Sequence, residues 1–237
     1  MKILHLFHDM MNLYGEYANL LVLDRYLSEH GQQVQIDTLG VYEQKDISGY
    51  DLYFMGAGTE RKQKLALEEL KKYAAPLKDA YENGKVFLFT GNSFELLGKS
   101  LTDAAGRVYD GLGLFSFETV EGNRRIVGDC LGSCALFEEA VVGFMNKCSK
   151  TTGISNPLFT LQMGFGNEAE KGPEGICEKN FFGTHLTGPI LTKNPAMLRE
   201  ITKRLIGAVD PQITIPYMQQ AYETTSRALK NRLEGNS

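Results

Sequence analysis

Residues 1–50 alternate short apolar runs with a longer amphipathic stretch. Lys2–Phe7 and Val34–Leu39 are apolar runs, and between them Tyr14–His30 carries leucines and a tyrosine three or four positions apart before Gly31. This spacing is typical of a helix that buries one face and ends at a glycine. The pattern therefore predicts a strand, a helix and a second strand.

The same alternation continues to residue 90. Asp51–Met55 predicts a third strand, Lys62–Asn83 a long helix closed by Gly84, and Lys85–Phe89 a fourth strand. Strands that alternate with helices imply crossover connections, and hence a doubly wound, mainly parallel α/β sheet. Ligands bind such sheets at the carboxyl ends of the strands.

After residue 110 the pattern changes to short runs punctuated by glycine. Gly111–Leu114, Arg125–Gly128 and Ala140–Phe144 are typical of antiparallel strands and loops added to the same domain. Because no linker rich in proline or serine divides the halves, we expect one domain over residues 1–237. The spacing of apolar residues near the end predicts a C-terminal helix over about 215–233, docked on the body of the protein.

Composition narrows the classes of function. The 237 residues are 43% hydrophobic and 23% charged, which is typical of a globular protein, and the net charge of −4 comes from scattered charges, so we expect no nucleic-acid partner. The apolar run at the N-terminus is too short for a signal peptide, and no stretch approaches the roughly 18 apolar residues of a membrane span. We therefore expect a cytoplasmic protein without a membrane span.

Four cysteines are present, Cys130, Cys134, Cys148 and Cys177. Cytosolic proteins rarely hold disulfides, so free thiols are expected. The spacing of Cys130 and Cys134 suits a zinc knuckle, but the other two cysteines have no paired spacing. We therefore expect buried apolar cysteines and no metal site or cofactor.

The segment most informative about chemistry follows the fourth strand, where Thr90, Gly91, Asn92 and Ser93 form a tight turn into a helix. A strand, a sharp turn and a helix are the context of a nucleophile elbow, although no nucleophile stands at its tip. An N-capping turn that favours anions is an equally weighted interpretation. Asn92 and Ser93 are therefore candidate ligand-binding residues.

Two other segments are candidates. Gly56 and Gly58 follow a strand, where their N–H groups suit an oxyanion or a carboxylate, although a plain turn between strand and helix is equally consistent. His185 lies on a short predicted strand from which a base could face the elbow. A lone histidine is more often a structural residue than a catalyst, because a base must lie within about 3 Å of its nucleophile.

Several motifs occur in an order that resembles one enzyme family over nearly the whole chain. They are Met11–Glu16 with Asn19, Phe54–Gln63, Leu96–Lys99, Gly111–Leu114, Val142–Asn146, Gly164–Asn167 and Gly183–Leu191 with Lys193–Pro195. Together they resemble the class I glutamine amidotransferases of the cobyric-acid-synthase type. The resemblance is closest to the glutaminase subunits of lipid II isoglutaminyl synthases.

The resemblance implies a flavodoxin-like doubly wound sheet with added antiparallel strands. It also implies a subunit that hydrolyses glutamine and passes ammonia to a Mur-ligase-like, ATP-dependent synthetase, which amidates a peptidoglycan precursor. Arg125 matches a family arginine that resembles a glutamine-positioning residue. Glutamine or a related small molecule is the implied ligand.

The resemblance fails at the reacting groups. Counting along the motifs places Gly91 at the family's nucleophilic cysteine, Thr187 at its catalytic histidine, Glu95 at a glutamine and His185 at a tyrosine. His185 is the candidate substitute for the base, but two residues along a strand displace it by about 6.6 Å from position 187. Ser93 lies beyond the tip of the elbow, where its side chain is expected to turn into the helix.

Three hypotheses remain from the sequence. The preferred one is an amidotransferase-like subunit without glutaminase activity, in a heterodimer with the synthetase. A second is an active amide hydrolase that uses residues outside the family pattern, with His185 or a cysteine foremost. A third is a free-standing protein that binds a small ligand.

Overall fold

The structure is a computed structural model and describes residues 1–235. In chain order the strands are β1 Lys2–Leu6, β2 Gln35–Leu39, β3 Leu52–Met55, β4 Val86–Thr90, β5 Ser100–Thr102, β6 Val108–Asp110, β7 Glu118–Cys134, β8 Phe137–Thr152, β9 Phe159–Met163, β10 Gly172–Glu174, β11 Ile176–Glu178, β12 Phe181–Thr184 and β13 Leu186–Thr187. The α-helices are α1 Ala18–Glu29, α2 Glu60–Leu70, α3 Ala74–Glu82, α4 Ile190–Lys193, α5 Pro195–Ile206 and α6 Met218–Gly235.

The first sheet has the strand order β11-β12-β4-β3-β1-β2 and is parallel except for β11. Every residue of β3 and β4 is buried, and successive side chains enter opposite cores. Tyr53 and Met55 pack in one core, whereas Leu52 and Phe54 pack in the other, as the two-residue period of a strand requires. The predicted doubly wound, mainly parallel sheet is confirmed.

The second sheet is mostly antiparallel and is dominated by the hairpin of β7 and β8. Both strands are much longer than the short runs at Arg125–Gly128 and Ala140–Phe144 suggested, because the ladder continues through charged residues that face solvent. Gly111–Leu114, one of the runs predicted as strands or loops, lies in a loop. The added antiparallel strands thus form a separate sheet.

One segment joins the two sheets. Thr184, the last residue of β12, lies opposite Thr90 of β4 in the first sheet, whereas Leu186 and Thr187 of β13 pair with β8 in the second. The chain therefore leaves one sheet and enters the other at His185. This crossing brings residues of both sheets to the carboxyl ends of β3 and β4.

Helix α1 lies within the predicted Tyr14–His30, whereas α4 and α5 were not predicted. The stretch predicted as a single helix over Lys62–Asn83 is divided into α2 and α3 by a short 3-10 turn at Lys71–Tyr73. Pro76 lies in the first turn of α3, where its missing N–H costs no intrahelical bond, whereas a continuous helix would lose one there.

The predicted C-terminal helix is present as α6, which packs on the second sheet through Leu229. The Tyr222 hydroxyl donates to the carbonyl of Ala140 at 2.9 Å, and Arg232 pairs with Asp129 at 2.5 Å. Within residues 1–235, none of the helices combines the length and apolar character that crossing a bilayer requires.

Candidate functional site

A cavity of about 240 Å³ lies where the two sheets meet. Its walls come from the turn after β3, the start of α2, the 3-10 helix Gly91–Leu97 that follows β4, and the β7–β8 hairpin. The sequence-predicted elbow is thus a wall of the cavity, at the carboxyl edge where an α/β sheet binds ligands.

Gly91 and Thr187 lie side by side in this cavity. Gly91 has a φ of +65°, and a Cβ built on it would lie 3.2 Å from the Cγ2 of Thr187. The turn after β4 and the segment after β12 therefore meet at one edge of the first sheet, as a base that faces the elbow requires. The same Cβ would lie 3.1 Å from the Ala57 Cα and inside van der Waals contact of the Ala57 methyl group. The space that a side chain at position 91 would need is already filled.

The turn after β3 is closed by Asn92. The N–H of Gly58 donates to the Asn92 carboxamide oxygen at 3.0 Å, and the Asn92 amide donates back to the Gly58 carbonyl at 3.0 Å. The Gly58 N–H is therefore engaged within the protein and does not point freely at a bound oxyanion. Gly56 is packed against Glu16 and the Met11 carbonyl, which leave no room for a Cβ.

The five sequence-predicted ligand-binding residues divide into two groups. Those that line the cavity are Gly58, Asn92 and Arg125, whereas Gly56 and Ser93 are absent from its lining. The Ser93 hydroxyl is buried and donates to the carbonyls of Met55 at 2.9 Å and Thr90 at 2.8 Å. Ser93 therefore turns into the protein, as expected beyond the tip of an elbow.

Arg125 lies at the mouth of the cavity. Its guanidinium pairs with Glu60 of α2 at 2.5 Å and donates to the Asn146 side-chain oxygen at 3.0 Å, and the Asn146 amide donates to the Tyr14 hydroxyl at 2.9 Å. Burial opposes ionisation of Glu60, but hydrogen bonds, among them one from Arg125, hold its pKa below the usual range. Both partners of the ion pair are thus charged.

His185 does not line the cavity but lies behind it between two buried carboxylates. Its Nε2 is 3.1 Å from Glu95 Oε1, and its Nδ1 is 3.1 Å from Glu174 Oε1. The ring is fully buried and packs edge-on against Phe94. Both ring nitrogens are thus engaged by carboxylates, and the ring does not reach the cavity.

Glu95 is the member of this cluster that lines the cavity. It accepts hydrogen bonds from Ser149 and, at 2.6 Å, from Gln63, in addition to its contact with His185. Burial raises the pKa of a carboxyl group, but the hydrogen bond and charge of His185 hold the pKa of Glu95 below its usual range. The sequence motif contained Glu95, but nothing in the sequence indicated that it pairs with a residue 90 positions away.

Two further reactive side chains, Cys148 and Lys147, line the cavity. Burial raises the pKa of the Cys148 thiol to about 12, helped by the Glu60 carboxylate 3.4 Å away. Burial lowers the pKa of Lys147 to about 8, and its ammonium donates to the carbonyls of Gly166 and Asn167. A thiol with so high a pKa is a poor nucleophile at neutral pH.

Glu16 lies below the cavity floor and is almost fully buried. It accepts hydrogen bonds from Thr90 at 2.7 Å, Asn19 at 2.9 Å and the N–H of Gly188 at 2.8 Å. Burial raises the pKa of Glu16 to about 7 in spite of these donors. This carboxyl group ties α1, β4 and the segment after β13 together beneath the site.

The cysteines are free, as expected, and residues 1–235 contain no group of three or more histidine, cysteine or acidic side chains placed to hold a metal ion.

Residues 2–195 match the family model of the CobB/CobQ-like glutamine amidotransferase domain. The chain belongs to the CobB/CobQ-like glutamine amidotransferases. Its arrangement of a mainly parallel sheet with added antiparallel strands is the class I amidotransferase fold.

Individual relatives of the chain agree with this family assignment. The chain is 33% identical to the subunit GatD of lipid II isoglutaminyl synthase (glutamine-hydrolyzing) from Staphylococcus aureus, over 92% of this chain and 87% of that protein. It is 31% identical to the Streptococcus pneumoniae protein of the same name, over 94% of this chain and 86% of that one. A crystal structure of a glutamine amidotransferase superimposes with a TM-score of 0.57 and 13% identity, over 86% of this chain and 99% of that one, which supports the fold alone.

Proposed function

We propose that this protein is the amidotransferase-like subunit of a lipid II isoglutaminyl synthase-type complex and that it has no glutaminase activity of its own. The complex acts in the cytoplasm on a peptidoglycan precursor. The extent of the match to two GatD proteins supports the assignment to this kind of complex.

One structural observation supports the absence of glutaminase activity. Gly91 stands at the tip of the elbow, and the Ala57 methyl group occupies the place of any Cβ there. Removal of the nucleophile from a hydrolase that works by covalent catalysis costs on the order of 10⁶ in rate. Thr187 lies next to Gly91 and cannot serve as the base, because a hydroxyl group does not accept a proton near neutral pH.

Neighbouring groups do not compensate in this proposal. Cys148 is the cysteine that lines the cavity, and its thiol stays protonated because of burial and Glu60. His185 is held behind the wall by Glu95 and Glu174. These positions weigh against an active amide hydrolase that uses residues outside the family pattern.

The chemical half of the proposal is tested by measuring ammonia release from L-glutamine with a coupled dehydrogenase assay. The expected result is no release above a heat-treated sample, with or without a cysteine-alkylating reagent. Release that the reagent abolishes would mean that a cysteine acts as nucleophile, and the proposal would then be wrong.

The partnership half is tested by coexpression with a Mur-ligase-like chain followed by size-exclusion chromatography. A stable heterodimer is expected, with the ligase using ammonium salts as its nitrogen source. Tyr17 is half-exposed and follows Tyr14, which lines the cavity, by three positions, so Tyr17→Ser should weaken the complex. Tyr42→Ser, in an exposed turn after β2 that does not line the cavity, should not. A strictly monomeric chain that leaves ligase activity unchanged would refute the partnership.

A further inference from the structure

The mouth of the cavity is spanned by a segment of β7 that departs from regular pairing. Glu121 lies opposite Ser149 and Ile126 opposite Lys147, so residues 122–125 of β7 lie against the single residue Cys148 of β8. The extra residues bulge outward and are exposed. Arg125 is the last of them, and its side chain reaches Glu60 of α2.

At α2 the guanidinium of Arg125 meets a carboxylate, the group that planar guanidinium recognises best. Glu60 and Arg125 both line the cavity, and their side chains remain 33% and 45% exposed. A half-exposed ion pair is weak, on the order of 1 kcal/mol or less. The carboxylate of a ligand can therefore replace Glu60 on Arg125. Glu60 therefore occupies the position that the carboxylate of a small ligand would take on Arg125.

We propose that Glu60 is an internal competitor for Arg125, and that the cavity takes a small carboxylate ligand when that ligand displaces Glu60 from the guanidinium. This inference rests on the proposed role of the cavity as a ligand site. It adds a residue that sets how tightly the site binds. The Asn146 contact stays with Arg125 during the exchange and keeps the guanidinium at the mouth.

The test compares Glu60→Gln with the unaltered chain by isothermal titration calorimetry, with L-glutamine and L-glutamate as probes. The expected result is binding about fivefold tighter in the variant, the upper end for removal of a half-exposed charge pair. Glu68→Gln, on the exposed part of the same helix and paired with Lys71, is the matched control and should bind as the unaltered chain does. Arg125→Gln should abolish binding in both backgrounds.

L-glutaminol, in which an alcohol replaces the carboxylate, should bind equally to both proteins, because it cannot compete with Glu60. Cys148 provides a readout without ligand. Its thiol donates to Glu60, so Glu60→Gln should speed alkylation of Cys148, measured by peptide mass spectrometry, while Glu68→Gln should not.

Equal or weaker binding of both probes to Glu60→Gln, or no binding to either protein, would overturn the inference. The proposed function fails differently. Ammonia in the L-glutamine samples would refute the absence of hydrolysis, but the affinity ratio for L-glutamate, which has no side-chain amide, would still report on Glu60.

Discussion

The close approach of Ala57 to Gly91 predicts a strong energetic coupling between these two positions. Gly91→Ala adds only a Cβ, which meets the Ala57 methyl group and lies 3.2 Å from the Thr187 Cγ2. The left-handed backbone at φ +65° costs an L-residue about 1 to 2 kcal/mol, and overpacking adds about 1 to 3 kcal/mol. We expect Gly91→Ala to lower the free energy of unfolding by about 2 to 5 kcal/mol.

Gly31 is a control with the same backbone strain and no crowding. Its φ is +74°, and nothing lies within 4 Å of a Cβ built there. Gly31→Ala should therefore show only the backbone cost of about 1 to 2 kcal/mol. Urea unfolding of the single and double variants separates the two contributions.

Ala57→Gly should rescue Gly91→Ala by about 1 to 3 kcal/mol and leave Gly31→Ala unaffected, which is a direct double-mutant cycle. Equal costs at Gly91 and Gly31, or no coupling to Ala57, would refute the claim that the methyl group excludes a side chain from the elbow. The cycle has a chemical counterpart. Gly91→Cys with Thr187→His should release ammonia from L-glutamine measurably better when Ala57→Gly is also present.

Three other predictions concern buried groups. Ser93→Ala should lower the free energy of unfolding by about 1 to 3 kcal/mol through two lost hydrogen bonds, without changing the affinity for L-glutamate; a change in affinity would mean that Ser93 reaches the ligand. His185→Ala should cost about 3 to 5 kcal/mol in urea unfolding, because Glu95 and Glu174 lose their shared partner, and a loss below 1 kcal/mol would contradict the buried network. Glu16 has a pKa of about 7 in the folded chain, against an ordinary value of 4.5. Between these two pH values the folded chain therefore binds one proton more than the unfolded chain. The free energy of unfolding falls as the pH rises through this window, by about 3 kcal/mol in all. Urea unfolding from pH 5 to 8 should show this fall in the unaltered chain and not in Glu16→Gln, and parallel curves would refute it.

Much of the first sheet could be predicted because its central strands are buried on both faces. A strand such as β4, with all five residues apolar or small, stands out from the amphipathic helix α3 that precedes it. The hairpin of β7 and β8 could not be delimited in the same way. Charged residues such as Glu121 and Lys147 are buried in it and are held by partners in other segments, so no simple alternation marks its ends.

The candidate site also contains some features that the sequence predicts and others that it does not. The turn at Gly91 and the segment at Thr187 could be predicted to meet, since each follows a strand whose carboxyl end lies at one edge of the sheet. The pairing of Glu95 with His185, and of Glu60 with Arg125, joins elements whose contact depends on where the second sheet docks. Local sequence carries no information about that docking.

The ring of two hydrogen bonds between Asn92 and Gly58, together with the Ala57 methyl group, bears on how such a chain can evolve. While position 91 is a glycine, no substituent opposes an alanine at 57 or an asparagine at 92, so each can arise alone and at no cost to the other. Once both are present, a side chain at 91 has no space and the Gly58 N–H is taken. A chain that regains a side chain at 91 has to change Ala57 first, because that side chain would otherwise meet the alanine methyl group. The order of substitutions therefore matters, because Ala57→Gly followed by a change at Gly91 avoids the crowded intermediate and the reverse order passes through it.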